Sequence, residues 1–363
     1  MKKTMAALLA VTISFSLAAC GSDTLSGSSE KSQIVLITDG GEKSVQDGSY
    51  NESVYNGMSE YAVGHEKSYA YMIPEAETTE AYLSIINHAV NNGAEIIICP
   101  GSAFEEAIYQ AQTDHPDVAF ILFDGTPHDA DFNYGQSDNV HAVLFQEEQA
   151  GYLAGYGAVM DGYTKLGFAG GKQVPSVVRY GYGFIQGADA AATKLNTAIS
   201  IKYTYTDSFM PSDDLEAKMN SWYQDGTEVI FSCGGLMYQS VFQAAEDNQA
   251  KVIGVDTDQS KLSDTVLTSA VKNLGPVTES LLSDFYDNDQ SWSKKNAGTL
   301  TVMGANDNAV GIPTDDSAWK FAKFTADEYN ALYADLKDGI LVVSNAVDEQ
   351  PAVSSNTTVD YDA

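Results

Sequence analysis

The sequence predicts an α/β protein whose parallel sheets, flanked by helices, form two doubly wound lobes. Short runs rich in Val, Ile and Phe alternate with helix-length segments of periodic hydrophobicity, a pattern typical of this class. Nearly all of these runs stop on Gly, Asp or Pro. The chain has 363 residues, of which 44% are hydrophobic, so its length and composition favour two domains over one.

The predicted strands and helices form two successive series, with boundaries near residues 145 and 256. Each strand is a short apolar run bounded by turn-forming residues. The seven runs lie at 33–41, 95–101, 118–125, 139–145, 165–171, 228–235 and 251–256.

The segments between these runs are the predicted helices, and several carry cap signals. Ser102 and Glu105 have the spacing of a capping box, and Thr78 stands where a helix would begin. Gly93 and Gly226 stand where helices would stop. The helical segments are 50–62, 78–93, 102–115, 146–160, 174–195, 211–226 and 236–248.

Three carboxylates stand at the ends of predicted strands: Asp39, Asp124 and Asp256. Ligands of doubly wound sheets bind outside the carboxyl ends of the strands, where loops and helix N-termini converge. Each Asp alone could equally be a helix cap or a loop residue. Together they indicate a polar binding cleft.

The charge balance excludes several classes of partner. The chain carries 19 Lys and Arg against 50 Asp and Glu, a formal net charge of −31. Such a field repels phosphate backbones and anionic membrane surfaces. We therefore expect no nucleic acid partner and a small ligand that is uncharged or cationic.

Motifs for catalysis, cofactors and metals are missing from the sequence. It contains no HExxH, GxSxG or CxxC pattern. The GFAGGKQ segment resembles a phosphate loop, but its spacing to Lys172 is short and Gln173 replaces the required Ser or Thr. Lys261 occupies the obligatory Gly position of a calcium loop, and Cys99 and Cys233 read as small buried hydrophobes. We expect no enzyme activity, no cofactor and no metal.

The sequence pattern of the first 19 residues predicts a processing signal. Two Lys precede a short apolar stretch, which ends in small residues just before Cys20. The tetrapeptide Leu-Ala-Ala-Cys resembles a bacterial lipobox, which implies a signal peptide over 1–19, cleavage before Cys20 and lipid attachment to its sulfur. The Gly/Ser-rich segment 20–32 would be a lipidated tether. The protein would then lie outside the cytoplasm, anchored to the cell membrane; alternatively it is secreted and Cys20 is incidental.

A set of motifs in order along the chain resembles the basic membrane protein family of bacterial lipoproteins, also called PnrA-like. These motifs are TDGG at 38–41, SYNES at 49–53, GAEIIICPGSAFEEA at 93–107, DVAFILFDG at 117–125, VLFQEEQAGYLAGY at 143–156, KLGFAGG at 165–171, RYGYGFIQGA at 179–188 and VIGVDTDQS at 252–260. Members are substrate-binding proteins of ABC transporters, and many bind purine nucleosides.

The resemblance implies a fold and a division of the chain. Two Rossmann-like lobes would be joined by a three-stranded hinge, as in type I periplasmic binding proteins. The N-terminal lobe would comprise 33–145 and about 270–300, and the C-terminal lobe 146–269 and about 301–363. The partners would be a nucleoside and an ABC transporter permease.

The resemblance also implies roles for residues of the first lobe. Asp39 would lie in the cleft. Tyr50 and Asn51 match a Phe-Asn pair at the start of the first helix, where the aromatic ring stacks on the base. Without the resemblance, Tyr50 could be a hydrophobic staple or an exposed ring among 21 Tyr residues.

The ribose would be held by charged residues from both lobes. Asp124, Asp256 and Lys272 match residues that contact its hydroxyls. A carboxylate can accept from two adjacent hydroxyls, and each such charge-assisted bond contributes about 1.5–3 kcal/mol. Lys272 could alternatively be an ordinary exposed Lys.

Two further positions complete the predicted site. Gly234 matches a Gly-rich loop that approaches the ligand closely, although the usual Gly-Gly-Thr-Gly is GGLM here. Phe145 ends a strand at the expected lobe crossing, so it is a second stacking candidate, although it could instead be a core residue.

Three functions remain open from the sequence. The leading hypothesis is a lipid-anchored receptor that delivers a nucleoside to a permease. The second keeps the fold but binds another polar molecule, such as a sugar or riboflavin, as a sensor or transport receptor. A lipid-anchored hydrolase is disfavoured because no nucleophile and base are visible.

Overall fold

The computed structural model describes residues 31–38, 44–361 and 363. In these residues the chain forms two mainly parallel β-sheets covered by helices, which confirms the predicted α/β class. None of the helices in this part of the chain combines the length and hydropathy needed to cross a bilayer.

The first sheet has six strands, all parallel. They are β1 (Ile34–Ile37), β2 (Tyr69–Met72), β3 (Ile96–Pro100), β4 (Ala119–Phe123), β5 (Val140–Phe145) and β11 (Thr299–Met303). Their order is β11-β5-β4-β3-β1-β2, with Ile34 opposite both Ile96 and Tyr69. The first lobe consists of this sheet with α1 (Tyr50–Gly64), α2 (Thr79–Asn91), α3 (Glu105–Asp114) and α8 (Leu274–Asp287).

The second sheet has seven strands. They are β6 (Lys165–Gly170), β7 (Ile199–Tyr205), β8 (Val229–Cys233), β9 (Lys251–Asp256), β10 (Val266–Lys272), β12 (Val310–Gly311) and β13 (Thr357–Asp360). Their order is β12-β10-β9-β8-β6-β7-β13, and all pairs are parallel except β10 with β12. The second lobe adds α4 (Glu147–Asp161), α5 (Pro175–Leu195), α6 (Asp213–Gln224), α7 (Tyr238–Asn248) and α9 (Ala326–Lys337).

The chain passes between the two sheets three times, at 145–147, 272–274 and 303–305. The first and third crossings lie side by side, because Gln146 N donates to Met303 O at 2.9 Å and Ala305 N donates to the Gln149 side chain at 2.7 Å. Residues at the crossings therefore lie between the lobes.

Helices α4 and α5 pack closely enough to fix the side chains at their ends. A Cβ on Gly151 would lie 2.1 Å from the Tyr180 carbonyl oxygen, and one on Gly183 would lie 2.1 Å from the Glu148 carbonyl oxygen. No side chain fits at these distances, so glycine on both helices lets their backbones touch. The contact places the start of α4 beside the second and third turns of α5.

Most cap predictions are confirmed, and one is wrong. Thr78 accepts from Ala81 N at 3.2 Å, and Gly93 and Gly226 end helices with φ of 90° and 95°. Ser102, however, makes no capping box with Glu105, because 102–104 forms a separate 3₁₀ turn. Glu105 Oε1 accepts instead from Thr126 N at 2.7 Å, across to the loop after β4.

Candidate ligand-binding cleft

A cleft of about 250 Å³ lies between the two lobes, at the carboxyl ends of both sheets. Its walls include Gly101 after β3 and Asp124 after β4 from the first lobe. From the second lobe come Gly234 after β8, Asp256 at the end of β9 and Lys272 at the end of β10. This volume is slightly below the about 300–1,000 Å³ typical of small-molecule sites.

Lys272 is the centre of a buried charge cluster at the cleft. Its Nζ lies 2.5 Å from Asp124 Oδ2 of the first lobe. Within the second lobe, Glu147 Oε1 lies 3.0 Å from the same nitrogen, and Asp256 Oδ1 lies 4.0 Å from it. All four side chains are at most 10% exposed. One ammonium group thus pairs with three carboxylates and bridges the lobes.

The cluster extends away from the cleft through Arg179. Its Nε donates to Glu147 Oε2 at 2.5 Å, so the two oxygens of Glu147 face the two cations. Helix α5 supplies both Arg179 and the following Tyr180, whose hydroxyl donates to Asp256 Oδ1 at 3.2 Å. The second turn of α5 therefore fixes the orientation of both carboxylates.

Aromatic rings surround the Lys272 ammonium group. The rings of Tyr50, Phe145 and Tyr180 have their centroids 5.2, 5.3 and 5.5 Å from Nζ. Ring faces attract a cation at these distances. The rings also exclude water, which strengthens the ion pairs.

Burial and charge pull the pKa values of the cluster in opposite directions. Desolvation raises the pKa of Asp124, and it raises that of Asp256 to about 6, although Lys272 lowers both. Desolvation also raises the pKa of Glu147, but the charges of Lys272 and Arg179 bring it below its ordinary value. Burial alone would lower the pKa of Lys272, but the surrounding carboxylates raise it above its ordinary value. The ammonium group is therefore charged at neutral pH.

The two cleft carboxylates share an uncommon backbone conformation. Asp124 and Asp256 have φ of 56° and 63°, in the left-handed region. Few residues other than glycine adopt this region, and Asp is among those that tolerate it best. Strain of this kind collects at functional sites, where the surrounding structure holds it in place.

The structure brings most of the predicted site residues together. Six line the cleft, namely Tyr50, Asn51, Asp124, Gly234, Asp256 and Lys272. Gly234 has φ of 154°, and a Cβ there would lie 3.0 Å from both Met237 and Phe209.

Two residues predicted for the cleft are not placed in it. Phe145 is 1% exposed and packs against Phe123 at a centroid distance of 6.2 Å, beneath Lys272, so it is a core residue that does not line the cleft. Asp39 and Cys20, the predicted lipidation site, lie outside the described residues.

Sequence reasoning missed Glu147, Arg179, Tyr180 and Phe209. The sequence pattern indicates only a helix at Glu147, but the position of this acid directly after a predicted lobe crossing is a signal. Arg179 is the single arginine of the sequence, which is a second signal. Phe209 lies on the loop between β7 and α6, lines the cleft from the second lobe and packs against Gly171 and Gly235. No pattern in the sequence distinguishes this ring from the other aromatic residues.

Glu148 is a buried acid beside the cluster, and its pKa predicts how the free energy of unfolding depends on pH. It is 2% exposed, and among the described residues its Oε2 has no hydrogen-bond partner. Desolvation raises its pKa from 4.5 to about 7, and the charge of Glu147 adds to this effect. Between these pH values the native protein holds a proton that the unfolded chain releases, so the free energy of unfolding falls as pH rises through this window.

We therefore expect Glu148→Gln to stabilise the protein at pH 8 by up to about 3 kcal/mol. At pH 4 the carboxyl is protonated in the native protein and largely protonated in the unfolded chain, so the substitution should have little effect there. Urea unfolding at the two pH values measures the difference. Glu60→Gln, at an exposed position of α1, is the control and should change the stability by less than about 0.5 kcal/mol at either pH. A Glu148→Gln variant that is destabilised at pH 8 would contradict the expectation.

Groups able to hold a metal ion do not occur in this part of the chain: the described residues contain no cluster of three or more His, Cys, Asp or Glu with suitable geometry. The cleft thiol of Cys233 is 1% exposed, and burial raises its pKa well above the ordinary value. The carboxylates of the cluster face ammonium and guanidinium groups. The arrangement is built to bind polar groups by hydrogen bonds.

Two α/β lobes with three crossings and a polar cleft at the strand ends define the type I periplasmic-binding fold. A solved structure with this fold is the ABC transporter solute-binding protein from Aeropyrum pernix K1, with a TM-score of 0.68, 17% identity and coverage of 86% of this chain and 87% of that one. At this identity the likeness shows the fold.

The family model for PnrA-like ABC transporter substrate-binding proteins matches residues 31–338, and the chain belongs to this family. It is a substrate-binding protein of an ABC transporter. It is similar to Basic membrane protein B from Borreliella burgdorferi, at 28% identity over 80% of this chain and 83% of that protein. It is also similar to the ABC transporter nucleoside-binding protein BmpA from Lactococcus lactis subsp. cremoris, at 25% identity over 87% of this chain and 93% of that protein.

Proposed function

We propose that this protein binds a nucleoside, with a purine base, in the cleft and delivers it to a membrane permease. The observation that carries the proposal is the pair of carboxylates, Asp124 and Asp256, that reach the cleft from opposite lobes and share Lys272. Carboxylates accept hydrogen bonds from the hydroxyls of a sugar, and the Lys272 ammonium group can donate a hydrogen bond to a sugar hydroxyl oxygen. A ribose bridging the two carboxylates would hold the lobes together.

The charge of the cluster favours an uncharged ligand over a phosphorylated one. Lys272 and Arg179 face three carboxylates, and each cation is already paired. A phosphate entering this site would meet excess negative charge in a region of low dielectric, where repulsion is strong. The cluster therefore favours nucleosides over nucleotides.

Aromatic residues from both lobes are available to the base. Tyr50 lines the cleft from the first lobe and Phe209 from the second. Stacking of a base on an aromatic ring contributes about 1–3 kcal/mol. The relative from Lactococcus lactis is named a nucleoside-binding protein, which supports the same assignment.

A binding panel tests the proposal. Titration calorimetry with purine and pyrimidine nucleosides, their monophosphates, free sugars and riboflavin should give the tightest binding for a purine nucleoside. Mass analysis of ligand recovered from the purified protein provides an independent reading. Preferential binding of a sugar or riboflavin would refute the nucleoside proposal and support the second hypothesis, in which the protein binds another polar molecule.

We further propose that the mature protein is anchored outside the cytoplasm by lipid on Cys20. The motif before Cys20 is the support for this anchor. Cys20→Ala should leave an unprocessed precursor or release the protein from the membrane fraction. Fractionation and intact-mass analysis of the mature N-terminus measure this. A Cys20→Ala protein that is processed and anchored like wild type would refute the anchor.

A further inference from the structure

The two lobes touch at a second place, away from the charge cluster. The segment Asp47–Asn51 leads into α1, and four of its residues line the cleft, namely Asp47, Ser49, Tyr50 and Asn51. The remaining residue, Gly48, lies against the second lobe. Two backbone carbonyls of this segment accept hydrogen bonds from side chains of that lobe.

Three side chains of the second lobe make these bonds. Tyr238 OH donates to Asp47 O at 2.8 Å. Thr257 Oγ1 and Gln259 Nε2 donate to Gly48 O at 2.8 and 3.1 Å. None of the three donors lines the cleft.

Gln259 is held in place before it reaches the other lobe. It is fully buried, its Oε1 accepts from Val255 N at 3.1 Å and its backbone N donates to Ser269 Oγ at 3.1 Å. The backbone N–H of Val255 requires the amide oxygen on that side, so the amide nitrogen faces Gly48. Opening the cleft would remove the acceptor of an oriented, buried donor.

Gly48 is suited to this contact. Its φ is 69°, and a Cβ would lie 2.9 Å from Leu262 Cδ1 of the second lobe. The backbone conformation favours glycine at this position, and a side chain there would also require the exposed Leu262 side chain to shift. Within the segment, Asp47 Oδ1 accepts from Ser49 N and Oγ at 3.0 and 2.5 Å, which links the two carbonyls to the start of α1.

We propose that Tyr238, Thr257 and Gln259 form a clasp that positions the segment Asp47–Asn51, holds the lobes together and sets how long a bound ligand stays. The clasp residues are positioning residues, since they act through the segment that carries Tyr50 and Asn51. Contacts made only in the closed arrangement shift the equilibrium toward it, whether or not ligand is bound. The inference about ligand lifetime rests on the proposed nucleoside function, whereas the inference about closure does not.

The test uses the triple variant Tyr238→Phe/Thr257→Val/Gln259→Ala and, to guard against misfolding, the single variant Tyr238→Phe. Stopped-flow displacement of a purine nucleoside should show release at least tenfold faster from the triple variant and about threefold faster from the single variant. Affinity should fall accordingly.

Matched controls remove similar bonds that lie within one lobe. Tyr223 OH donates to Lys251 O at 2.8 Å, and the buried Gln112 bonds to Tyr109, Gly135 and Ser137 of its own lobe. Tyr223→Phe and Gln112→Ala should release ligand at the wild-type rate. Wild-type release from the triple variant, or equal acceleration in the controls, would overturn the clasp.

The clasp can be tested separately if the nucleoside assignment fails. If no nucleoside binds the wild-type protein, the proposed function fails, and small-angle scattering of the ligand-free proteins then decides the clasp. The triple variant should have a larger radius of gyration than wild type, Tyr223→Phe and Gln112→Ala. In that case an unchanged radius would overturn the clasp as well.

Discussion

Replacing Lys272 with Met should lower the free energy of unfolding at pH 7 by about 3–5 kcal/mol, the cost of removing one partner from a buried ion pair. Asp124, Glu147 and Asp256 all depend on this ammonium group, and none is more than 10% exposed on its side chain. Met keeps most of the volume of Lys, so the loss is one of charge and hydrogen bonding. Urea unfolding followed by circular dichroism measures it.

The destabilisation should depend on pH in a defined direction. Lys272 lowers the pKa of all three carboxyls, so its removal should raise them. The native variant would then hold protons that its unfolded chain has released, and its stability should fall as pH rises above about 4, the ordinary pKa of these acids. The gap between wild type and Lys272→Met should therefore be wider at pH 8 than at pH 5.

Lys261→Met is the control, because Lys261 is exposed on the loop between β9 and β10. It should change the stability by less than about 0.5 kcal/mol. A Lys272→Met variant that loses less than about 1 kcal/mol would mean that the cluster is solvated and that Lys272 is not its counter-ion.

The sequence predicted the central strands well because burial on both faces leaves a continuous apolar run. All seven predicted runs correspond to strands, and β3 and β4 are buried along their whole length. The strands that were missed lie mainly at the sheet edges, where exposure breaks the apolar pattern. In β11, for example, Leu300 and Val302 face outward at 40% and 52% exposure.

Two missed elements have other causes. Strand β10 is largely buried, but its sequence VLTSAVK mixes apolar with small polar residues, so composition gave no strand signal. Helix α8 carries Gly275 and Pro276 in its first turn, which resembles a loop in the sequence. Proline is tolerated there because the first N–H groups of a helix have no partner within it.

The site was predictable where it depends on strand ends and unpredictable where it depends on the lobe crossings. Parallel strands bring their carboxyl ends to one edge of their sheet, so Asp124 and Asp256 could each be placed at the ligand-binding edge of its own lobe. Glu147 and Arg179 reach the same cluster only because α4 starts directly after a crossing and packs backbone to backbone on α5. That geometry depends on contacts between residues far apart in the chain.

The division of labour inside the cleft leads to the second large effect, on binding. Asp124→Ala should weaken binding of a ribonucleoside by about 3–5 kcal/mol, since a carboxylate that accepts two hydroxyls contributes about 1.5–3 kcal/mol for each bond. Tyr50→Ala should cost only about 1–3 kcal/mol, the contribution of one base stack. Lys272 keeps Glu147 and Asp256 as partners in the Asp124→Ala protein, so the cluster retains a counter-ion pair.

The two substitutions should also differ in kind. Asp124→Ala should shrink the affinity gap between a ribonucleoside and its deoxyribose analogue, because the hydroxyl that the carboxylate recognises no longer matters. Tyr50→Ala should leave that gap intact and weaken all ligands together. Titration calorimetry of wild type and both variants with matched ribo- and deoxyribonucleosides measures both effects, and urea unfolding verifies that each variant is folded. If Asp124→Ala binds every nucleoside as tightly as wild type, the ribose assignment fails, and Asp124 serves only to hold Lys272 between the lobes.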